Sequence, residues 1–442
     1  MRRRATAPVA LLCCLSLASA ARPAEMRYPP KLPGGKPVVT IRSGDLLKPP
    51  ESMRAVAVAK APPTVDFLYY PGQTYPGKPW SNWGDGCAVA GKYYSAIGDH
   101  LAPAGNAFVY EYDAATKKLR MLVDLRKVLK LPDGHYTPGK IHSRIDVGDD
   151  GWLYYATHRG STRVTTDAYH YEGDWLLRTH PPSGRTEIVA RGPVGKQCIP
   201  CSVLDPKRLI FYGSTQAGDV RDKRHTFFAY DTKARKLLYR GYGGPGRYFL
   251  FARSSGRVYF TPDLEGRLYR YDPAAGGAPV ELAAEMGLRA ATRETPQGCI
   301  YAVSSKGDAA LYRFDTRSEK VEKLGPAAVG SQTYVTTLDA DSTGRYLYYM
   351  PGAHGGSYKD GAAVVQYDVR ARRKKVIAFL HPLLKARCGY TPLGTFSTAV
   401  SPSGDKLYVT WHGCCAATWQ RRPSWDACAL TVVHIPASER KP

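Results

Sequence analysis

Six of the chain's eleven histidines stand where apolar, Tyr-rich runs end or begin, which is how side chains from distant segments come to share one edge of a fold. His142 and His158 open and close residues 139–160, GKIHSRIDVGDDGWLYYATHRG; His100, His354 and His412 end similar runs, and His225 precedes one. Imidazole takes or gives a proton near neutral pH. Three or more from separate segments, such as His100, His354 and His412, could also hold a divalent cation (zinc, manganese or calcium). Arg144 and Arg159 flank the central histidines, Arg224 stands beside His225, and Arg247 with Tyr248 follows a glycine-rich turn. Trp83 and Trp411 offer ring faces of the kind that stack on sugars and cations. Asp85, Asp99, Asp219 and Asp222 have no spacing that marks a pair, so the two-carboxylate machinery of a glycoside hydrolase is not legible.

The elements that must position these groups are short strands. In 139–160, Asp149-Asp150-Gly151 reads as a tight turn between two strands, which would bring His142 and His158 side by side at the open end. A similar unit recurs, with an apolar-aromatic stretch closing on Asp113, Asp231, Asp272, Asp315 and Asp368. Two degenerate copies place His180 and Ile435 at the Asp position. Successive copies lie 41 to 67 residues apart, and the shortest spacings match one four-stranded propeller blade. Seven such units predict an all-β, seven-bladed β-propeller over 63–440, whose radial closure protects strand edges. The last repeat lacks a fourth strand. The extended arm over 21–62 and the residues after it would supply one, with 65–70 (VDFLYY) preferred and 38–41 second.

Composition sets the setting. Arg2, Arg3 and Arg4, an apolar run and Ala18-Ser19-Ala20 have the order of a signal peptide cleaved near Ala20. No later run of about 18 apolar residues suggests a transmembrane segment. An exported protein, periplasmic or extracellular, is therefore expected. The formal charge of +24 becomes +21 once the leader's three arginines are removed. Such a charge favours an anionic polysaccharide or other polyanion, and export argues against nucleic acid. Eight cysteines follow the leader, an even number that suggests disulfides, with Cys414, Cys415 and Cys428 stapling a Trp-rich loop.

The hairpin with His142 and His158 on one rim of an exported seven-bladed propeller resembles the propeller-type polysaccharide lyases, namely the ulvan lyases and, more distantly, the oligogalacturonate lyases. It is also similar to exported bacterial propellers carrying an HS…DGxLYxxTH hairpin. The resemblance implies β-elimination on a uronate-containing polysaccharide. Rim histidines and tyrosines would act as Brønsted base and acid, an arginine would neutralise the uronate, and a metal is sometimes present. His142 and His158 carry over by the motif. Tyr212 and Tyr248 as catalytic groups, and Arg224 and His225 as substrate contacts, are placed by position on the rim. A non-catalytic propeller that binds polyanions or partner proteins is the alternative. A lactonase-like metal hydrolase lacks evident carboxylate ligands.

Overall fold

The computed structural model of the chain describes residues 31–73, 80–99, 105–219, 221–307, 309–415 and 425–441. Seven antiparallel sheets of four or five strands radiate around a central channel, a seven-bladed β-propeller. The first blade runs outward from Trp80–Ser81 and Cys87–Val89 through Lys92–Asp99 and Ala107–Asp113 to Lys118–Asp124. The second has Lys140–Ile141 and Asp146–Val147 innermost, then Leu153–His158, Trp175–His180 and Arg185–Arg191. In the next four blades the innermost strands are Gln197–Asp205, Leu250–Ala252, Ala290–Ala291 and Asp339–Ala340.

The seventh blade closes the ring. Tyr390–Val400, Lys406–Cys415 and Ala427–His434 come from the C-terminal part of the chain, and Thr64–Tyr69 pairs with the last of them, from Thr64↔His434 to Tyr69↔Ala429. Val39–Arg42 then adds a fifth strand outside it, so both N-terminal candidates are used rather than one. Asp66 fixes this clasp from a fully buried position. Its carboxylate accepts from Thr40 Oγ1 at 2.5 Å, Lys117 Nζ at 2.8 Å and His434 Nε2 at 2.7 Å.

Burial follows radius. Second strands such as Leu153–His158 are buried at every position because neighbouring blades cover both faces. The outermost strand Lys236–Tyr242 alternates exposed and half-buried residues. The Tyr/Val-rich second strands seen in the sequence are thus a consequence of double-sided packing.

Three expectations fail here. All eight described cysteines are buried, with no disulfide among them, so nothing staples Cys414 or Cys415 to Cys428. The Cys414 thiol instead donates to the Cys415 carbonyl, and Cys415 faces the Tyr69 hydroxyl. Trp411 is fully buried in the seventh blade, its indole donating to Thr431 Oγ1 at 3.0 Å, and offers no ring face to a ligand. Tyr212 lies in the middle of the strand Ile210–Ala217, packed between blades among Phe227 and Tyr271. The signal-peptide region and His100 lie outside the described residues.

Candidate functional site

The hairpin begins with an interruption. The inner strand of the second blade breaks between Lys140–Ile141 and Asp146–Val147, which pair with opposite ends of Leu153–His158. Ser143 fills the gap: its hydroxyl accepts from Ala156 N at 2.7 Å and donates to Ala156 O at 3.0 Å. Such side-chain bonds satisfy backbone groups that the ladder leaves open. The bulge presses on the first blade at Gly84, where a Cβ would stand 2.1 Å from Ser143 O, so only glycine fits there. At the far end, Gly151 adopts φ +78° to make the turn. The imidazoles of His142 and His158 end up with centroids 5.0 Å apart at one mouth of the channel.

Trp83 is the hub of this mouth. Its ring lies 5.7 Å from His142, 6.3 Å from His354 and 6.5 Å from His412, and stacks on Phe396 at 4.8 Å. Trp425 covers the same group, 4.4 Å from His412. Histidines of three blades and a tryptophan of a fourth therefore converge, although not as a metal site. His412 is fully buried, donating from Nε2 to Ala353 O at 2.9 Å and accepting from Asn82 Nδ2 at 3.4 Å. Burial lowers it to about 3, and with both nitrogens engaged it holds the wall rather than an ion. No set of three metal-ligating side chains occurs among the described residues. His354 is exposed and packs on Tyr334 at 4.7 Å.

The two motif histidines are neutral. His142 donates from Nδ1 to Pro200 O at 2.6 Å, which leaves Nε2 as the lone-pair nitrogen facing Arg247 Nη1 at 3.1 Å. Burial, then Arg247 and Lys140, hold it well below the ordinary imidazole value. His158 donates from Nδ1 to Arg159 O at 2.9 Å, and burial and His142 lower it likewise.

Around them gather basic side chains that form no ion pair among the described residues. Arg159 is buried and donates only to neutral acceptors: Cys198 Sγ at 2.9 Å, Ala217 O at 2.8 Å and Gln216 Oε1 at 2.9 Å. Arg289, also buried, donates from Nε to Tyr334 Oη at 2.7 Å. Lys140 Nζ sits 4.5 Å above the Trp83 ring, and burial followed by Arg247 and Arg159 lowers it to about 7. Burial and Arg289 lower Arg247 as well. Among the described residues, no carboxylate forms an ion pair with Lys140, Arg159, Arg247 or Arg289. Desolvated charges of one sign repel one another and favour an anion between them.

The remaining expected site residues lie elsewhere. Arg144 is in the channel below the mouth, 3.4 Å from Asp146, with its guanidinium 5.8 Å from the Tyr248 ring. Tyr248 spans the waist of the channel, donating its one hydroxyl proton to Asp85 Oδ2 at 2.5 Å, with Ala291 O as the second acceptor within reach at 3.1 Å. Arg224 is an exposed loop residue that bonds Asp222 and lies over Tyr242. His225 is half-buried at the start of His225–Asp231, with its buried Nδ1 unpartnered. The sequence reading missed Lys140, Arg289, Tyr334 and Phe396. A usable signal was present for Arg289, since it and Arg247 both stand just before the innermost strands of adjacent blades.

No protein-family model and no curated protein matches the chain. Solved structures do match, at the level of the fold. One, titled Crystal Structure of Mitotic Checkpoint Complex, is 10% identical with a TM-score of 0.51, covering 87% of this chain and 94% of that one. The WD40 repeats of RRP9 are 10% identical with a TM-score of 0.50, covering 86% of this chain and 99% of that one. The β-propeller domain of the Trilobed protease from Pyrococcus furiosus, 10% identical, has a TM-score of 0.47 and covers 81% of this chain and 94% of that one. The shared feature is the propeller scaffold. Among the described residues no helix is long and apolar enough to cross a membrane.

Proposed function

We propose that the chain is an exported propeller that binds a uronate-containing polysaccharide at its histidine-lined mouth and cleaves it by β-elimination. One observation carries the reading: four basic side chains with no ion-pair partner among the described residues, beside two neutral imidazoles. A uronate carboxylate against Arg247 and Arg289 would supply the missing negative charge. The two guanidinium groups holding it stabilise the dianion that develops on the carboxylate as the adjacent C5–H bond breaks. The His158 Nε2 lone pair accepts that proton, the C5–H electrons form the C4=C5 double bond, and the C4–O bond breaks. Tyr334, fixed by Arg289, protonates the departing oxygen. No water is consumed, so no carboxylate pair is required.

A binding-only role is the second reading, favoured by the burial of His142 and His158, which are 9% and 5% exposed. Incubation with a panel of uronate glycans separates the two. Lysis generates an unsaturated product that absorbs in the ultraviolet, abolished in His158→Ala and His142→Ala while glycan binding persists. Salt-sensitive binding without that product leaves only the binding role. No binding to any polyanion removes both.

A further inference from the structure

The opposite end of the channel has the reverse electrostatic character. Below the Asp85–Tyr248 hydrogen bond the channel widens into a cavity of about 600 Å³, lined by the ends of innermost strands from the first, fourth, fifth, sixth and seventh blades. The histidine side of the bond encloses only about 20 Å³. Volumes of several hundred Å³ are typical of small-molecule sites.

Most charged groups on the wide cavity's wall are already engaged. Glu294 accepts from Ser254 N at 2.8 Å, Ser254 Oγ at 2.7 Å and Thr316 Oγ1 at 2.5 Å. Asp341 accepts from Arg345 N at 3.0 Å and Tyr346 N at 3.1 Å, and Arg253 pairs with Asp149 at 3.3 Å. Two carboxylates differ. Asp85 accepts the Tyr248 hydroxyl, Asp339 accepts the Thr398 hydroxyl, and neither forms an ion pair among the described residues. Thr337, 2% exposed on the same wall, has a hydroxyl with no hydrogen-bond partner among the described residues.

The inner charges do not balance. Arg144 and Arg293 both pair with Asp146, at 3.4 and 3.2 Å. On this side of the waist bond those two guanidinium groups face three carboxylates, Asp85, Asp146 and Asp339, while Arg289, which also acts on Asp85, lies on the histidine side. Buried carboxylates of this kind favour a partner that supplies positive charge and donors together. Burial raises both, Asp85 to about 6 with Asp339 as a contributing neighbour, so the two carboxylates act on each other.

We propose that this far cavity binds a protonated amine bearing hydroxyl groups, of the size of an amino sugar. The ammonium lies between Asp85 and Asp339, and the ligand's hydroxyls meet the Thr337 hydroxyl and the Arg144 edge. This site is independent of the uronate reading at the other mouth.

Calorimetric titration of the full chain at pH 7 with glucosamine, N-acetylglucosamine and glucose tests it. Glucosamine binds at least ten-fold more tightly than the two neutral sugars, and Asp339→Asn removes that preference. Lys140→Ala, at the opposite mouth, leaves it intact. Thermal melting establishes whether Asp339→Asn is folded; should it not fold, the charged-against-neutral comparison on the wild-type chain decides. Equal binding of the three sugars, absence of glucosamine binding, or a folded Asp339→Asn that binds like the wild type overturns the proposal.

Discussion

The Tyr248 hydroxyl meets Asp85 at 2.5 Å across the channel, joining the fourth blade to the first over 163 residues of chain. The bond divides the channel into a cationic mouth and a carboxylate-bearing one. It also ties opposite sides of the ring together at the waist.

Tyr248→Phe removes the donor and leaves the Asp85 carboxyl desolvated. The loss expected is about 1–3 kcal/mol, the cost of an unsatisfied buried polar group. Urea denaturation measures it, and an unchanged midpoint with an unchanged slope would show that the waist bond adds nothing.

Lys140 gives a pH signature. Its folded value of about 7 lies below the ordinary 10.5, so between those limits the unfolded chain binds a proton that the native protein has released. Stability therefore climbs as pH rises from about 7 towards 10.5. The lowered buried histidines, His142, His158 and His412, act in the same direction below 6.5, opposed by Asp85 and Asp174, which are raised to about 6. Melting temperature followed from pH 7 to 9.5 should rise in the wild type and flatten in Lys140→Met. A parallel rise in both would remove Lys140 as its source.

Polyanion affinity should run the other way. As pH passes upward through 7, Lys140 loses its charge and binding of a uronate glycan weakens, with Arg247→Ala lowering it at least ten-fold at any pH. Fluorescence of Trp83 reports occupancy. Affinity that is indifferent to both changes would place the anion elsewhere on this basic surface.

Asp66 tests the clasp. Asp66→Asn leaves Lys117 and His434 without their carboxylate, and the expected cost is about 2–3 kcal/mol. That is less than the ~3–5 kcal/mol of a fully buried pair because both partners are part-exposed. Burial opposes, but His434, Lys117 and Thr40 hold Asp66 down at about 2. Its contribution is therefore present above pH 3.8 and fades as pH falls towards 2. A chemical melt near neutrality that matches the wild type contradicts this role.

The cysteines make a simpler claim. With no disulfide among the eight described cysteines, all of them buried, a reductant should leave the melting temperature unchanged. A drop of several degrees would reveal a disulfide.

The ring was legible because its blades are periodic: the aromatic-Asp endings at Asp231, Asp272 and Asp315 mark one strand per blade, and backbone pairing keeps that strand at the same radius each time. His142 and His158 were legible for the related reason that a hairpin returns its ends to one place. Side-chain direction was not. Trp411 and His412 are adjacent on Lys406–Cys415, yet Trp411 packs within the seventh blade and His412 faces Trp83 and Trp425. Tyr212 looks equivalent to any other tyrosine of a second strand until both of its faces prove covered. The waist bond and the cationic cluster join residues through space across blades, where no local pattern in the chain records them. The disulfide expectation failed because an even number of cysteines says nothing about whether their Cα atoms approach one another.

The pairing of Thr64–Tyr69 with Ala427–His434 has a bearing on how the protein is made. Blades one to six can assemble as they leave the ribosome, but the opening strands have no mate until the last of the chain has been synthesised. During that interval a hydrophobic, strand-forming stretch waits uncovered, and a chaperone that shields it would govern the yield of native protein.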